Sequence, residues 1–119
     1  MSSDAYSIFQ VGRMIAGPNS IESLKDVVGE YNVSTALVLT DMGVWNAGLV
    51  ERPLELLQAA GVGTKIINSV PPEPEVNHVL AVYQEAKGFD CQAIIAIGGG
   101  SVMDVATIAA VLLTNDITL

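Results

Sequence analysis

An apolar run that breaks into three consecutive glycines constrains this chain more than any other stretch. Residues 93–97 read Ala-Ile-Ile-Ala-Ile, the composition of a strand buried on both faces. Gly98, Gly99, Gly100 and Ser101 follow, and then Val102, Val105, Ala106, Ala109 and Leu113 recur at helical spacing. That spacing predicts a helix with Asp104 in its first turn. A strand, a glycine turn and a helix start together present bare backbone N–H groups and a partial positive charge, which suits a phosphate. Ser101 is placed as the helix N-cap, with a hydroxyl able to serve either the helix or a phosphate oxygen. The same glycines also fit a tight, closely packed connection with no ligand.

The rest of the chain alternates strand and helix patterns around that unit. Residues 7–15 read as one extended segment, followed by a turn over 16–20 in which Asn19 or Ser20 can cap a helix. Ile21, Leu24, Val27 and Val28 form that helix's apolar face, and Gly29 or the Tyr31-Asn32 pair ends it. Residues 35–41, Thr-Ala-Leu-Val-Leu-Thr-Asp, read as a second strand that ends in an acid. A helix carrying Leu49, Val50, Leu54, Leu57 and Ala60 comes next, with Pro53 marking a break or a first turn. A third strand over 64–68 leads into Ser69-Val70-Pro71-Pro72-Glu73-Pro74, a stiff extended loop. The next helix spans 75–87 with Gly88 as its stop, and the last helix, after the glycine turn, runs to about Leu113. Alternation with short loops implies an α/β, Rossmann-like three-layer domain: a mostly parallel sheet with helices on both faces. In such a fold the ligand sits beyond the carboxyl ends of the strands. Asp41, the 70–74 loop and the 98–101 turn should therefore converge on one edge.

Composition narrows the partners. The 119 residues make a single domain, and 50% hydrophobic with 15% charged residues favours a buried core over disorder. A net charge of −8 argues against a nucleic-acid or acidic-membrane surface. No apolar run reaches membrane-spanning length, and the first residues lack a signal peptide's basic start and apolar core, so a cytoplasmic protein is expected. Cys91 and His78 are the only residues of their kinds. No internal disulfide and no Cys/His metal cluster follows from them. Cys91 reads as a small core residue and His78 as a helix-face residue. Lys25, Lys65 and Lys87 are scattered and read as solvated surface charges.

Asp41 carries two readings. A carboxylate at a strand end can accept from both hydroxyls of an adenosine ribose, and it would repel a 2′-phosphate, favouring NAD over NADP. It can equally cap the following helix.

Ile97-Gly98-Gly99-Gly100-Ser101-x-x-Asp104 after an apolar strand resembles the cofactor signature of the iron-containing (group III) alcohol dehydrogenases, a family with relatives such as glycerol dehydrogenase and dehydroquinate synthase. Val38-Leu39-Thr40-Asp41 is similar to that family's ribose-binding motif, and Val70-Pro71-Pro72-Glu73-Pro74 to its Val-x-Pro-Asn-Pro segment. The opening segment, Gly-Pro and helix are also similar to the way the family begins.

The resemblance implies an NAD-binding N-terminal domain over residues 1–119, part of an NAD-dependent alcohol dehydrogenase. It implies cofactor contacts from Asp41, Gly98, Gly99, Gly100 and Ser101. Asp104 would brace the turn or favour the helix start, since a second acid against diphosphate is repelled. Glu73 stands where the family has asparagine, which replaces a donor and acceptor with an acceptor alone. The family's divalent metal, iron, is held in a helical C-terminal domain by one aspartate and three histidines, and that domain has no counterpart here. The 119 residues are therefore expected to bind a dinucleotide without catalysing alone. Exposed apolar surface is expected where the other domain would pack, with association with that domain or a homo-oligomer as the outcome. A stand-alone nucleotide-binding or regulatory module is the alternative.

Overall fold

Strand β5 (Ala93–Ile97) is buried at every position, and the described part of the molecule is layered on it. The computed structural model describes residues 6–10, 13–16 and 21–115. In chain order these form β1 (Ser7–Gln10), β2 (Arg13–Ala16), a short 3-10 turn (Ile21–Ser23), α1 (Leu24–Glu30), β3 (Thr35–Thr40), α2 (Met42–Asn46), α3 (Glu51–Ala59), β4 (Gly63–Ile67), α4 (Val76–Phe89), β5 and α5 (Gly100–Asn115). The five strands form one sheet in the order β2-β1-β5-β3-β4. β5, β3 and β4 run parallel, with Ala36 opposite Ala93 and Thr40 opposite Ile97 across the central pair.

Side chains alternate across the sheet and so divide the core into two layers. Ala36, Val38, Ala93, Ile95 and Ile97 pack with Leu24 and Val28 of α1 and Leu56 and Leu57 of α3. Leu37, Leu39, Ile94 and Ala96 pack on the other face with Val79, Val82 and Ala86 of α4 and with Val102, Val105 and Ala109 of α5. Alanines at facing positions let the helix backbones come close to the sheet. Burying a Leu or Ile side chain fully is worth roughly 1.5–3 kcal/mol, so truncating Leu37 or Ile95 to alanine costs on the order of 2–5 kcal/mol. This is the α/β arrangement with helices on both faces that the alternating patterns imply.

Two features differ from the local sequence signals, and a third, the window around Pro53, follows the expected break and first-turn proline. β1 and β2 are two strands paired in antiparallel fashion, with Ile8 opposite Ile15, and β1 also joins β5 in antiparallel fashion. The sheet is thus mixed: parallel on the side that carries the strand ends of interest, antiparallel on the other. Gly12, an isolated glycine in a strand pattern, is the sequence signal for such a break. Gly88 does not stop α4. The helix ends at Phe89, and Asp90 (φ 55°) takes the left-handed position instead, which a short polar side chain tolerates. The window around Pro53 divides into α2 and α3, with Pro53 third in α3, where a missing N–H leaves no helical bond unmade. The turn over 16–20, with its possible caps Asn19 and Ser20, falls on residues 17–20 outside the described ones.

The two singular residues are structural. Glu75 N–H donates to His78 Nδ1 at 2.9 Å, bracing the start of α4. Cys91 is buried and unbridged, and burial pushes its thiol above the ordinary value. Among the described residues no helix is long and apolar enough to cross a membrane.

Candidate functional site

Because β5, β3 and β4 are parallel, their carboxyl ends open on one edge, and a cleft of about 600 Å³ lies there. Asp41, Met42 and Gly43 line it from the end of β3, Ser69, Val70, Pro71 and Pro72 from the loop after β4, and Gly99, Gly100 and Ser101 from the turn after β5. The three marked strand ends of the sequence do meet.

Asp41 fulfils the capping reading and keeps a hand free. Its Oδ1 accepts from Val44 N–H at 2.8 Å, closing the first turn of α2. Its Oδ2 has no hydrogen-bond partner among the described residues and points to the glycine turn: a Cβ on Gly98 would stand 3.3 Å from it.

The three glycines are not equivalent. Gly98 has φ +154°, and a Cβ there would lie 2.9 Å from Val102 Cγ2, so both backbone conformation and packing require glycine. At Gly99 and Gly100 a Cβ would meet nothing within 4 Å, and neither has a positive φ. The packed-connection reading accounts for Gly98 and leaves the other two without a reason inside this chain. Met103 N–H donates to the Gly99 carbonyl at 3.1 Å, so α5 begins at Gly100. Its first N–H groups, which have no acceptor within the helix, lie at the cleft.

That helix start corrects two expectations. Ser101 is not the N-cap but the second residue of α5, and its hydroxyl donates to the Pro72 carbonyl at 2.5 Å. It ties the proline loop to the glycine turn. Asp104 lies beyond the first turn, which holds no acid. It is exposed and does not line the cleft. The expectation failed because the helix begins earlier than a serine cap would have it. Glu73 is exposed and also outside the lining.

Thr40 was legible only as part of a motif. It is the sole buried polar residue among those described. Its hydroxyl donates to the Ile97 carbonyl at 2.5 Å, and its own carbonyl accepts from Val70 N–H at 3.4 Å. A hydroxyl inside an apolar strand was the available signal, since such a group needs a partner.

Among the described residues the lining contains no lysine or arginine. A bound anion would be met by backbone N–H groups and the positive end of α5. Among the described residues no group of three or more His, Cys, Asp or Glu side chains could hold a metal ion, and the sequence has one histidine.

Comparison with known proteins places this architecture. The family model of the iron-containing alcohol dehydrogenases matches residues 12–119. Choline dehydrogenase of Bacillus subtilis is 32% identical over 116 residues, covering 97% of this chain and 29% of that protein. Sulfoacetaldehyde reductase of Bilophila wadsworthia is 33% identical over 113 residues, covering 94% and 29%. The crystal structure of a 1,3-propanediol oxidoreductase superposes with a TM-score of 0.79 at 28% identity, over 87% of this chain and 27% of that one. The chain thus spans under a third of the length of these relatives, and the residues present do not fit the iron that the family's name implies. With both its sequence and its overall fold matching, the chain belongs to the iron-containing alcohol dehydrogenase family, of which it covers the N-terminal portion.

Proposed function

We propose that the cleft binds the adenosine diphosphate half of NAD(H), with preference over NADP(H), and serves hydride transfer between an alcohol and the nicotinamide in an enzyme larger than these 119 residues. The observation that carries this is the pairing of one unoccupied Asp41 oxygen with an unobstructed main chain at Gly99 and Gly100. Asp41 Oδ2 would accept from the ribose hydroxyls and repel a 2′-phosphate. The N–H groups at the start of α5 would meet the diphosphate. Ser101 contributes through its hold on Pro72, which shapes the cleft wall. Asp104 has no part in binding on this reading.

The bound nicotinamide supplies the hydride acceptor; the work of this chain is to bind and orient it. Among the described residues no His, Cys, Lys or Tyr lines the cleft, and on this reading the 119 residues alone would turn over no alcohol. That same lining favours, as a second reading, a nucleotide-binding module that acts without catalysis. Ile108 and Val111, exposed one turn apart on α5, support association with further protein, either the rest of the enzyme or another copy. A cytoplasmic setting fits a cofactor-dependent dehydrogenase.

The test is an NADH titration followed by nicotinamide fluorescence, with NADPH in parallel and Asp41→Asn as the variant. Asparagine remains a good N-cap, so α2 is preserved while the charge is removed. Saturable binding that favours NADH is expected, with a loss of about tenfold or more in the variant and a narrower gap between the two cofactors. A variant that binds and discriminates like the wild type refutes the assignment of Asp41.

A further inference from the structure

Resting on the cofactor reading, we infer that the Thr40 hydroxyl is a positioning group that holds the ribose acid and the phosphate-facing turn in one fixed register.

Three strands end at the cleft, and Thr40 joins all three. Asp41 follows it in the chain. Its carbonyl takes the Val70 N–H and so anchors the start of the proline loop. Its hydroxyl reaches across the parallel β3–β5 ladder, where Thr40 stands opposite Ile97, and donates to the Ile97 carbonyl at 2.5 Å. That carbonyl belongs to the peptide joining Ile97 to Gly98. A peptide unit is planar, so fixing its oxygen fixes the direction of the Gly98 N–H and the angle from which the turn departs. Gly98 then sits at φ +154°, where a Cβ would stand 2.9 Å from Val102 Cγ2 and 3.3 Å from Asp41 Oδ2, a conformation that must be held by its surroundings.

Packing alone does not call for threonine here. Valine fills the same volume, suits a strand equally well and carries no group that needs a partner. Thr40→Val would leave the Ile97 carbonyl, in a residue that is itself buried, without this donor. What the hydroxyl adds is geometry between Asp41 and the turn, and a ligand that touches both must depend on it.

The test compares wild type, Thr40→Val and Thr40→Ser in the full 119-residue chain, by NMR without ligand and by titration with NADH, ADP and adenosine. In the wild type the Thr40 hydroxyl proton should be protected from exchange, and the Gly98 and Asp41 amide resonances should shift in the valine variant and return with serine. NADH and ADP, which span both elements, should bind about tenfold more weakly to Thr40→Val. Adenosine, which reaches only the Asp41 side, should change by less than about twofold, and serine should restore ADP binding. An unprotected hydroxyl proton in the wild type overturns the inference without any variant. So do unshifted Gly98 and Asp41 amides in Thr40→Val, or an equal loss for ADP and adenosine that serine does not rescue, since that pattern belongs to general core damage. The amide and hydroxyl readouts need no cofactor. Failure of the wild type to bind NADH would count against the cofactor reading, while the inference would still be decided by those two readouts.

Discussion

Alanine placed in turn at Gly98, Gly99 and Gly100 separates glycine needed by the fold from glycine needed by a ligand. At Gly98 two costs combine. A side chain at φ +154° is strained by about 1–3 kcal/mol. The new Cβ would also stand 2.9 Å from Val102 Cγ2 and 3.2 Å from Val102 Cβ, and overpacking of that kind costs about 1–3 kcal/mol. Val102 is a fully buried β-branched residue on a helix, where one rotamer dominates, so it cannot swing aside. Gly98→Ala should therefore destabilise by about 2–6 kcal/mol, which for a chain of this size lowers the thermal midpoint by roughly ten degrees or more. Gly99→Ala and Gly100→Ala meet open space. Their midpoints should stay within about two degrees of wild type, with Gly100→Ala gaining slightly because alanine favours a helix. Their NADH affinity should fall by about tenfold, because the methyl group occupies the space in which a diphosphate would approach the main chain. Thermal denaturation and fluorescence titration on the same samples give both numbers. A wild-type midpoint for Gly98→Ala refutes the close-approach argument, and wild-type NADH affinity in both other variants refutes the phosphate cradle.

Three further outcomes follow from contacts already described. Ser101→Ala removes the hydroxyl that holds Pro72 and should lower stability by about 1 kcal/mol; urea denaturation checks it, and an unchanged midpoint would show that the bond contributes nothing net. Burial pushes the Cys91 thiol above 9.0 and the Tyr6 phenol above 10.0. The folded state therefore holds these protons more tightly, so stability is intact below pH 9 and declines as pH rises through the raised values. Cys91→Ala should flatten the start of that decline in denaturation curves taken between about pH 8 and 10. Finally, the cleft has no cationic side chain among the described residues and the chain carries a net charge of −8, so added salt screens repulsion from an anionic dinucleotide. NADH affinity should hold or rise between about 50 and 300 mM salt, and a steep fall would reveal an ion pair that the geometry lacks.

What the sequence made legible and what it hid divide along a physical line. Periodicity reports which face of an element is buried, and it located β3, β5, α4 and α5 because their apolar positions follow the sheet and helix repeats. Chain order then implied parallel strands, and from that the meeting of Asp41, the proline loop and the glycine turn. Contacts between residues far apart in sequence leave no such trace. The Ser101 hydroxyl finds Pro72, 29 positions away, and Thr40 finds Ile97, 57 positions away. Ser101 had a plausible local use as a cap, and the distant partner won. Boundaries failed for a related reason. A serine after glycines reads as a cap, but the bond from Met103 N–H to the Gly99 carbonyl starts α5 earlier and carries Asp104 out of the first turn. The antiparallel pairing of β1 with β2 was missed because a lone glycine between two apolar stretches fits a bulge in one strand as well as a break between two.

Asp41 shows why capping and ligand binding need not compete at such a strand end. A carboxylate has two oxygens and about four lone-pair directions, and a cap uses only one of them. Using Oδ1 on Val44 N–H fixes the plane of the group, so Oδ2 is held at the cleft without needing to be ordered by a ligand. A binding group that is already ordered loses less side-chain entropy when the ligand arrives. The same economy recurs at the neighbouring residue, where Thr40 completes the ladder and at the same time orients the turn. The site is thus made from the ends of the parallel strands themselves rather than from side chains added to them, and among the described residues its lining contributes one carboxylate, backbone donors and prolines but no group suited to shuttle a proton. Such a surface can define where a dinucleotide lies and how it is turned. On the proposed reading, hydride transfer would be completed by groups that face the nicotinamide from outside this cleft.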